Sequence, residues 1–241
     1  MPSFTNYNKK ISLRVNYKKI INIELIIVAS LLLLNLIQQF LIYQGILPKL
    51  ITFIDLNEEN NFPSFFSGMN LIFTGLIVLL ISLCNDKKNK FYKHWFFISF
   101  LFFFLGTDEL ASIHERVGRY TSIFLGVENT IGGFIWVLPF SIFLLILAYF
   151  YLPFLLHLPY KYKKLLIIAS IVFVGGGMVM ESIGSTLVGV SDYYPLEYII
   201  EETMEMLGVI IFLYAFFKYL KNEVGNFNLS FFFNDSETAN Q

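Results

Sequence analysis

An all-α integral membrane protein with six transmembrane helices is the fold class this sequence predicts, and three observations predict it. Of the 241 residues, 56% are hydrophobic and only 15% are charged, far from the balance of a soluble domain. The apolar residues gather in runs near or above the roughly 18–20 that a helix needs to cross a bilayer. Basic and acidic or neutral loops alternate between those runs, the mark of a multi-pass chain obeying the positive-inside bias.

The elements follow in chain order. Lys9, Lys10, Arg14, Lys18 and Lys19 precede the first apolar run. That opening is like a signal peptide's, but the run continues to about residue 46 without a small-x-small cleavage site, so an uncleaved first span over 20–46 is expected. Asn35, Gln38 and Gln39 lie in its later half, and a loop over 47–63 follows with Asp55, Glu58 and Glu59. The second span, 65–84, carries Ser67, Asn70 and Thr74 early and ends at Cys84. Lys87, Lys88, Lys90 and Lys93 lead into a third span over 95–117. The fourth, 130–152, starts after Glu128 and contains Trp136 and Pro139. Beyond Lys161, Lys163 and Lys164, the fifth span, 165–188, holds Gly175, Gly176, Gly177 and Glu181. The sixth, 195–219, runs into a polar tail. The chain therefore divides into a basic segment 1–19, a transmembrane domain 20–220 and a tail 221–241.

Loop charge sets orientation. The N-terminal segment, the second and fourth loops and the start of the tail are basic, which predicts both termini in the cytoplasm and a bacterial-type inner membrane. Arg116 and Arg119 are the exceptions. With net charge −1, no nucleic-acid partner is expected. The single cysteine, Cys84, permits no internal disulfide.

On this map the polar residues of every span fall in its extracytoplasmic half, and the inner halves are almost pure Leu, Ile, Val and Phe. A polar, acidic cavity open to the outside and closed by an apolar floor is the consequence. Its centre is the segment GTDELASIHERVGR at 106–119, because Asp, Glu and His on a membrane helix demand partners or water. In a straight helix, Asp108, Ser112 and Glu115 share a face within roughly 60°, with Glu109 and Arg116 on the flank. Glu197, Glu201 and Glu205 form a stripe on the sixth span, Glu202 sits beside it, and Glu181 shares a face with Gly177 and Ser185.

Carboxylates from three helices with one imidazole suit a divalent metal such as Fe, Mn or Zn. The ligand candidates are Asp108, His114, Glu115, Glu181, Glu201, Glu202 and Glu205. Asp108, Glu109, His114, Glu115 and Glu205 are the candidates for acid–base work, and Arg116, Asn35, Gln38 and Asn70 for contacts to substrate. This reading gives a membrane enzyme, hydrolase- or oxidoreductase-like, on a lipidic or small amphipathic substrate. Three others compete: acids that are buried polar glue, a proton- or cation-coupled transporter, and a non-catalytic assembly subunit. The glycine triple, lying mid-membrane, reads as close packing or a kink. His94 and His157, beside aromatics at the inner edge, read as interfacial.

An acid paired with histidine near one membrane face resembles the seven-helix metal-dependent hydrolases of the ceramidase and adiponectin-receptor type. This sequence lacks their H-x-x-x-H on the last helix and has one predicted span fewer, so none of their residues is carried over.

Overall fold

The computed structural model describes residues 15–85, 89–126, 134–187 and 189–225. The basic N-terminal cluster up to Arg14, Lys87, Lys88, Glu128, the first residues of the fourth predicted span and the tail from 226 lie outside them. Every regular element among the described residues is helical: α1 Tyr17–Tyr43, α2 Phe62–Cys84, α3 Tyr92–Ala111, α4 Ile113–Leu125, α5 Val137–His157, α6 Tyr160–Val174, α7 Glu181–Leu187 and α8 Tyr194–Tyr219. A π-helical segment, Gly175–Met180, joins α6 to α7.

Four of these are long and apolar enough to cross a membrane: α1, α2, α5 and the run Tyr160–Leu187. The bent pair α3 and α4 would make a fifth if it counts as one span. At 26 residues α8 is long enough, but Glu197, Glu201, Glu202 and Glu205 crowd its first half. It is the central helix, packed against α1, α2, α6 and α7 with Met206, Val209, Ile210, Leu213 and Phe216 buried.

Lipid removes the hydrophobic drive for helix association, so close backbone packing has to hold the bundle together. The α2–α3 pair does this with Gly68, Gly75 and Gly106. A Cβ at position 106 would sit 2.8 Å from the Gly68 carbonyl oxygen and 2.7 Å from Ile72 Cγ1. Buried Ser99 seals the contact by donating to the Gly75 carbonyl at 2.9 Å. At the far end of the bundle an aromatic cluster closes the floor. Trp95 meets Phe154 edge-on at 5.0 Å and Tyr219 at 4.7 Å between ring centroids. His94 and His157 pack among these rings.

The structure differs from the sequence expectation most at the third span. It is not straight to residue 117. Ser112 takes a left-handed conformation, φ 51° and ψ 47°, and α4 leaves α3 at 76°. A non-glycine residue rarely adopts that conformation unless its surroundings compel it, and here they do. Asp108 Oδ1 accepts from the backbone N–H of His114 at 2.7 Å, filling one of the orphan donors at the start of α4. The fifth span continues through Leu187, but its glycine triple forms the π segment, where missing side chains let α8 come close.

The loop between α1 and α2 is bound down by α1. Asn35, fully buried, donates to the Ile54 carbonyl at 2.7 Å and accepts from Leu56 N–H at 3.1 Å. Gln38 Oε1 accepts from Ile51 N–H at 2.7 Å. Asn61 opens α2 with a reciprocal capping box to Ser64. In this loop, burial pushes the Asp55 carboxyl up, opposed by the Asn57 N–H that it accepts.

Candidate functional site

The site is set by three devices: the α3–α4 break, the bound-down loop and the glycine face opposite α8. The break swings His114 back over Asp108, with Nδ1 3.3 Å from Asp108 Oδ2. The loop brings Glu59 to the other side of the same ring, with Oε1 3.3 Å from Nε2. Trp136 covers the imidazole at 5.1 Å between centroids. His114 is thus clamped between two carboxylates from different elements.

The glycine face seats the acids of α8. A Cβ at Gly177 would lie 2.6 Å from Glu205 Oε1, and one at Gly184 would overlap the Glu197 carboxyl. A side chain at either position would push the facing carboxyl group out of its present place. Glu201 sits between the carboxyl groups of Glu181 and Glu197. Glu197 is buried, with its carboxyl group against Gly184 and beside Glu201.

These groups surround one cavity of about 900 Å³. Nine carboxylates line it: Glu58, Glu59, Asp108, Glu109, Glu115, Glu181, Glu201, Glu202 and Glu205. Against them stand His114 and Arg119. So much negative charge in a poorly solvated space needs protons or a cation among the carboxylates. Away from the acids the same cavity runs between α3, α5, α6 and α8 over Phe102, Leu147, Leu155, Leu166, Phe173, Phe212 and Phe216. It therefore has an acidic end and a long apolar end.

All of Asp108, Glu109, His114, Glu115, Glu181, Glu201, Glu202 and Glu205 line this space. They do not meet as a straight third span would arrange them. With the helix broken at Ser112, Asp108 and Glu115 no longer share a helical face, and Arg116 is no longer one repeat from Glu109. Arg116 is exposed and absent from the lining, and Arg119 takes the cavity-facing place. Asn35 and Gln38 are engaged by the loop backbone and do not reach the cavity. Asn70 is buried with both amide atoms unpartnered and also stays outside it. Among the described residues, no three His, Cys, Asp or Glu side chains already converge as metal ligands. Both ring nitrogens of His114 face carboxylates, so neither is open to a metal in this arrangement.

Sequence reasoning passed over Glu59 as a site residue. Its only signal was an acidic pair, Glu58–Glu59, in a loop predicted to face the same side as the acids.

The fold is all-helical among the described residues, with four helices, or five if the bent α3–α4 pair is one span, long and apolar enough to cross a membrane. The chain belongs to the family described as a domain of unknown function, DUF8692, which it matches over residues 24–220. Neither a curated protein nor a solved structure matches it significantly.

Proposed function

We propose that this is a six-span inner-membrane protein, both termini cytoplasmic, that binds a lipidic or small amphipathic substrate and acts on it as a metal-assisted enzyme. In this reading the cavity opens to the extracytoplasmic side. The observation that carries it is the cavity's two-part lining: a polar head would lie among the carboxylates and a tail along Phe102, Phe173, Phe212 and Phe216. α8 and the α3–α4 pair complete the six spans, with the glutamates of α8 shielded from lipid by the surrounding helices.

The excess of carboxylates supports a cation at the head end. Glu109, Glu181, Glu201, Glu202 and Glu205 are oxygen donors suited to Fe, Mn or Zn, and such an ion would supply water activation or redox chemistry. Their side chains would have to close on the ion, since none of them converges beforehand. In the protein's own part of the work, Asp108 and Glu59 orient His114, which holds a proton beside the head group. Glu205, seated on Gly177, is the deepest carboxylate able to take one up. Arg119 faces an anionic portion of the substrate. A coupled transporter is less supported, because the lining beyond Glu205 is mostly apolar, with Ser170 and Tyr151 its polar side chains.

Elemental analysis of the detergent-purified protein tests this beside the double variant Asp108→Asn/Glu205→Gln. The expected result is one equivalent or more of Fe, Mn or Zn per chain, lost in the variant at unchanged helicity. No metal in either protein would overturn the metalloenzyme.

A further inference from the structure

The α3–α4 break does more than place His114. It leaves α4 as a separate amphipathic helix with two unlike faces. His114, Glu115, Arg119 and Ser122 line the cavity, and at about 100° per residue they occupy one side of the helix. The opposite side presents Tyr120, Ile123 and Phe124, which are 72%, 70% and 88% exposed. An apolar outer face on a helix with a polar inner face does not suit contact with water.

The preceding helix indicates what covers it. At 20 residues, α3 rises roughly 30 Å, which already matches the hydrocarbon thickness. α4 therefore begins at the membrane boundary and turns away from the bilayer normal by most of a right angle. The flank of α3 that carries Phe96, Phe97 and Phe100 is exposed and apolar, and the apolar face of α4 is exposed in the same way. Exposed Arg116 shares the outward side with Tyr120 and Ile123, at i, i+4 and i+7, and its long side chain can carry its charge up to the lipid phosphates.

We propose that α4 is an interfacial helix lying in the outer leaflet, with Tyr120, Ile123 and Phe124 among the upper acyl chains and its other face forming the lateral wall of the cavity. The cavity then meets the bilayer along α4, and an amphipathic molecule enters from the leaflet without crossing water. This rests on the membrane topology proposed above.

Single cysteines in a Cys84→Ser background, labelled with an environment-sensitive fluorophore in phosphatidylcholine/phosphatidylglycerol nanodiscs, test it. Phe100→Cys reports the lipid-facing flank of α3, and Lys49→Cys, in the exposed loop, reports water. Labels at Ile123→Cys and Phe124→Cys are expected to be blue-shifted and quenched by shallow acyl-chain spin labels, at least threefold more than by iodide. A Phe100 label quenched by lipid while 123 and 124 respond to iodide like Lys49→Cys would overturn the placement of α4 alone. A Phe100 label that responds to iodide would overturn the topology beneath it as well. Disulfide cross-linking between copies through Phe124→Cys would put a second chain on this face in place of lipid, and so also overturn the proposal.

Discussion

Two helix pairs in this protein use glycine in the same way for different ends. Between α2 and α3, Gly68, Gly75 and Gly106 bring backbones together, and what fills the space is backbone carbonyls, the side chains of Ile72 and Leu110 and the Phe103 ring, with the Ser99 hydroxyl bonded to the Gly75 carbonyl. Between the Gly175–Leu187 stretch and α8, the atoms opposite Gly177 and Gly184 are carboxyl groups of Glu205 and Glu197. The first pair is a packing joint. The second is a seat for charge, at a depth where a carboxylate would otherwise need a different shelter. A small-residue stripe thus does not reveal by itself whether it serves stability or a site; the residues it faces decide.

The largest effect that could break this comparison is at Gly106. Gly106→Val would drive a branched side chain into the Gly68 carbonyl and Ile72, a backbone collision that cannot relax by rotamer change. A loss of about 3 kcal/mol is expected, the upper end for overpacking, read as a lower melting temperature in detergent. Metal content per folded molecule should stay unchanged. Were Gly106→Val harmless to stability, the two joints would not differ as described.

Ser99→Ala removes the buried donor to the Gly75 carbonyl and should cost about 1 kcal/mol, again without touching the site. Gly177→Ala sharpens the contrast, since its Cβ meets the end of the flexible Glu205 side chain and not backbone. Stability should change by less than about 1 kcal/mol, helped by alanine's better helix propensity. Cation affinity should nevertheless fall about 10–100-fold, as it does when support for a ligand is lost. Titration of the metal-free protein with Mn²⁺ or Zn²⁺ measures this, and an unaltered affinity would make Gly177 a packing glycine like Gly106.

The smallest effect is at the opposite end of the same helix pair. There Glu223 accepts from the Tyr162 hydroxyl at 2.6 Å and pairs with Lys161 at 3.1 Å, and these donors hold its carboxyl below the usual range. A depressed folded value means that its contribution is present above the unfolded value near 4.5 and fades as pH falls through the lower folded value. Exposure and screening keep it small. Melting curves of Glu223→Gln and the parent should differ slightly at pH 7 and converge as pH falls through the depressed folded value. A gap that stays constant with pH would show that the pairing contributes nothing through charge.

Much of the architecture could be read before any coordinates. The ranges expected for the first, second and sixth spans lie within a few residues of α1, α2 and α8, because long apolar runs bounded by charged, Asn- or Pro-containing turns leave a helix little freedom in lipid. The acids of the third, fifth and sixth spans could also be picked out as unusual, since charge inside an apolar run is costly wherever it falls.

What the sequence could not decide depends on contacts between distant segments. The break at Ser112 was invisible because serine has no intrinsic preference for a left-handed turn; Asp108 capping the His114 N–H, with Trp136 over the ring, makes it worthwhile. Glu59 joined the site only because Asn35 and Gln38, taken from sequence for substrate contacts, fasten the loop that carries it. Arg119 replaced Arg116 at the cavity because a 76° bend re-aims every side chain beyond it. Sequence alone determined an apolar, helical, acid-bearing chain with runs long enough to cross a membrane, because hydropathy and helical period are local properties. Which acids face one another, and across which histidine, was decided by tertiary structure, because a single backbone torsion and a handful of long-range hydrogen bonds set those directions.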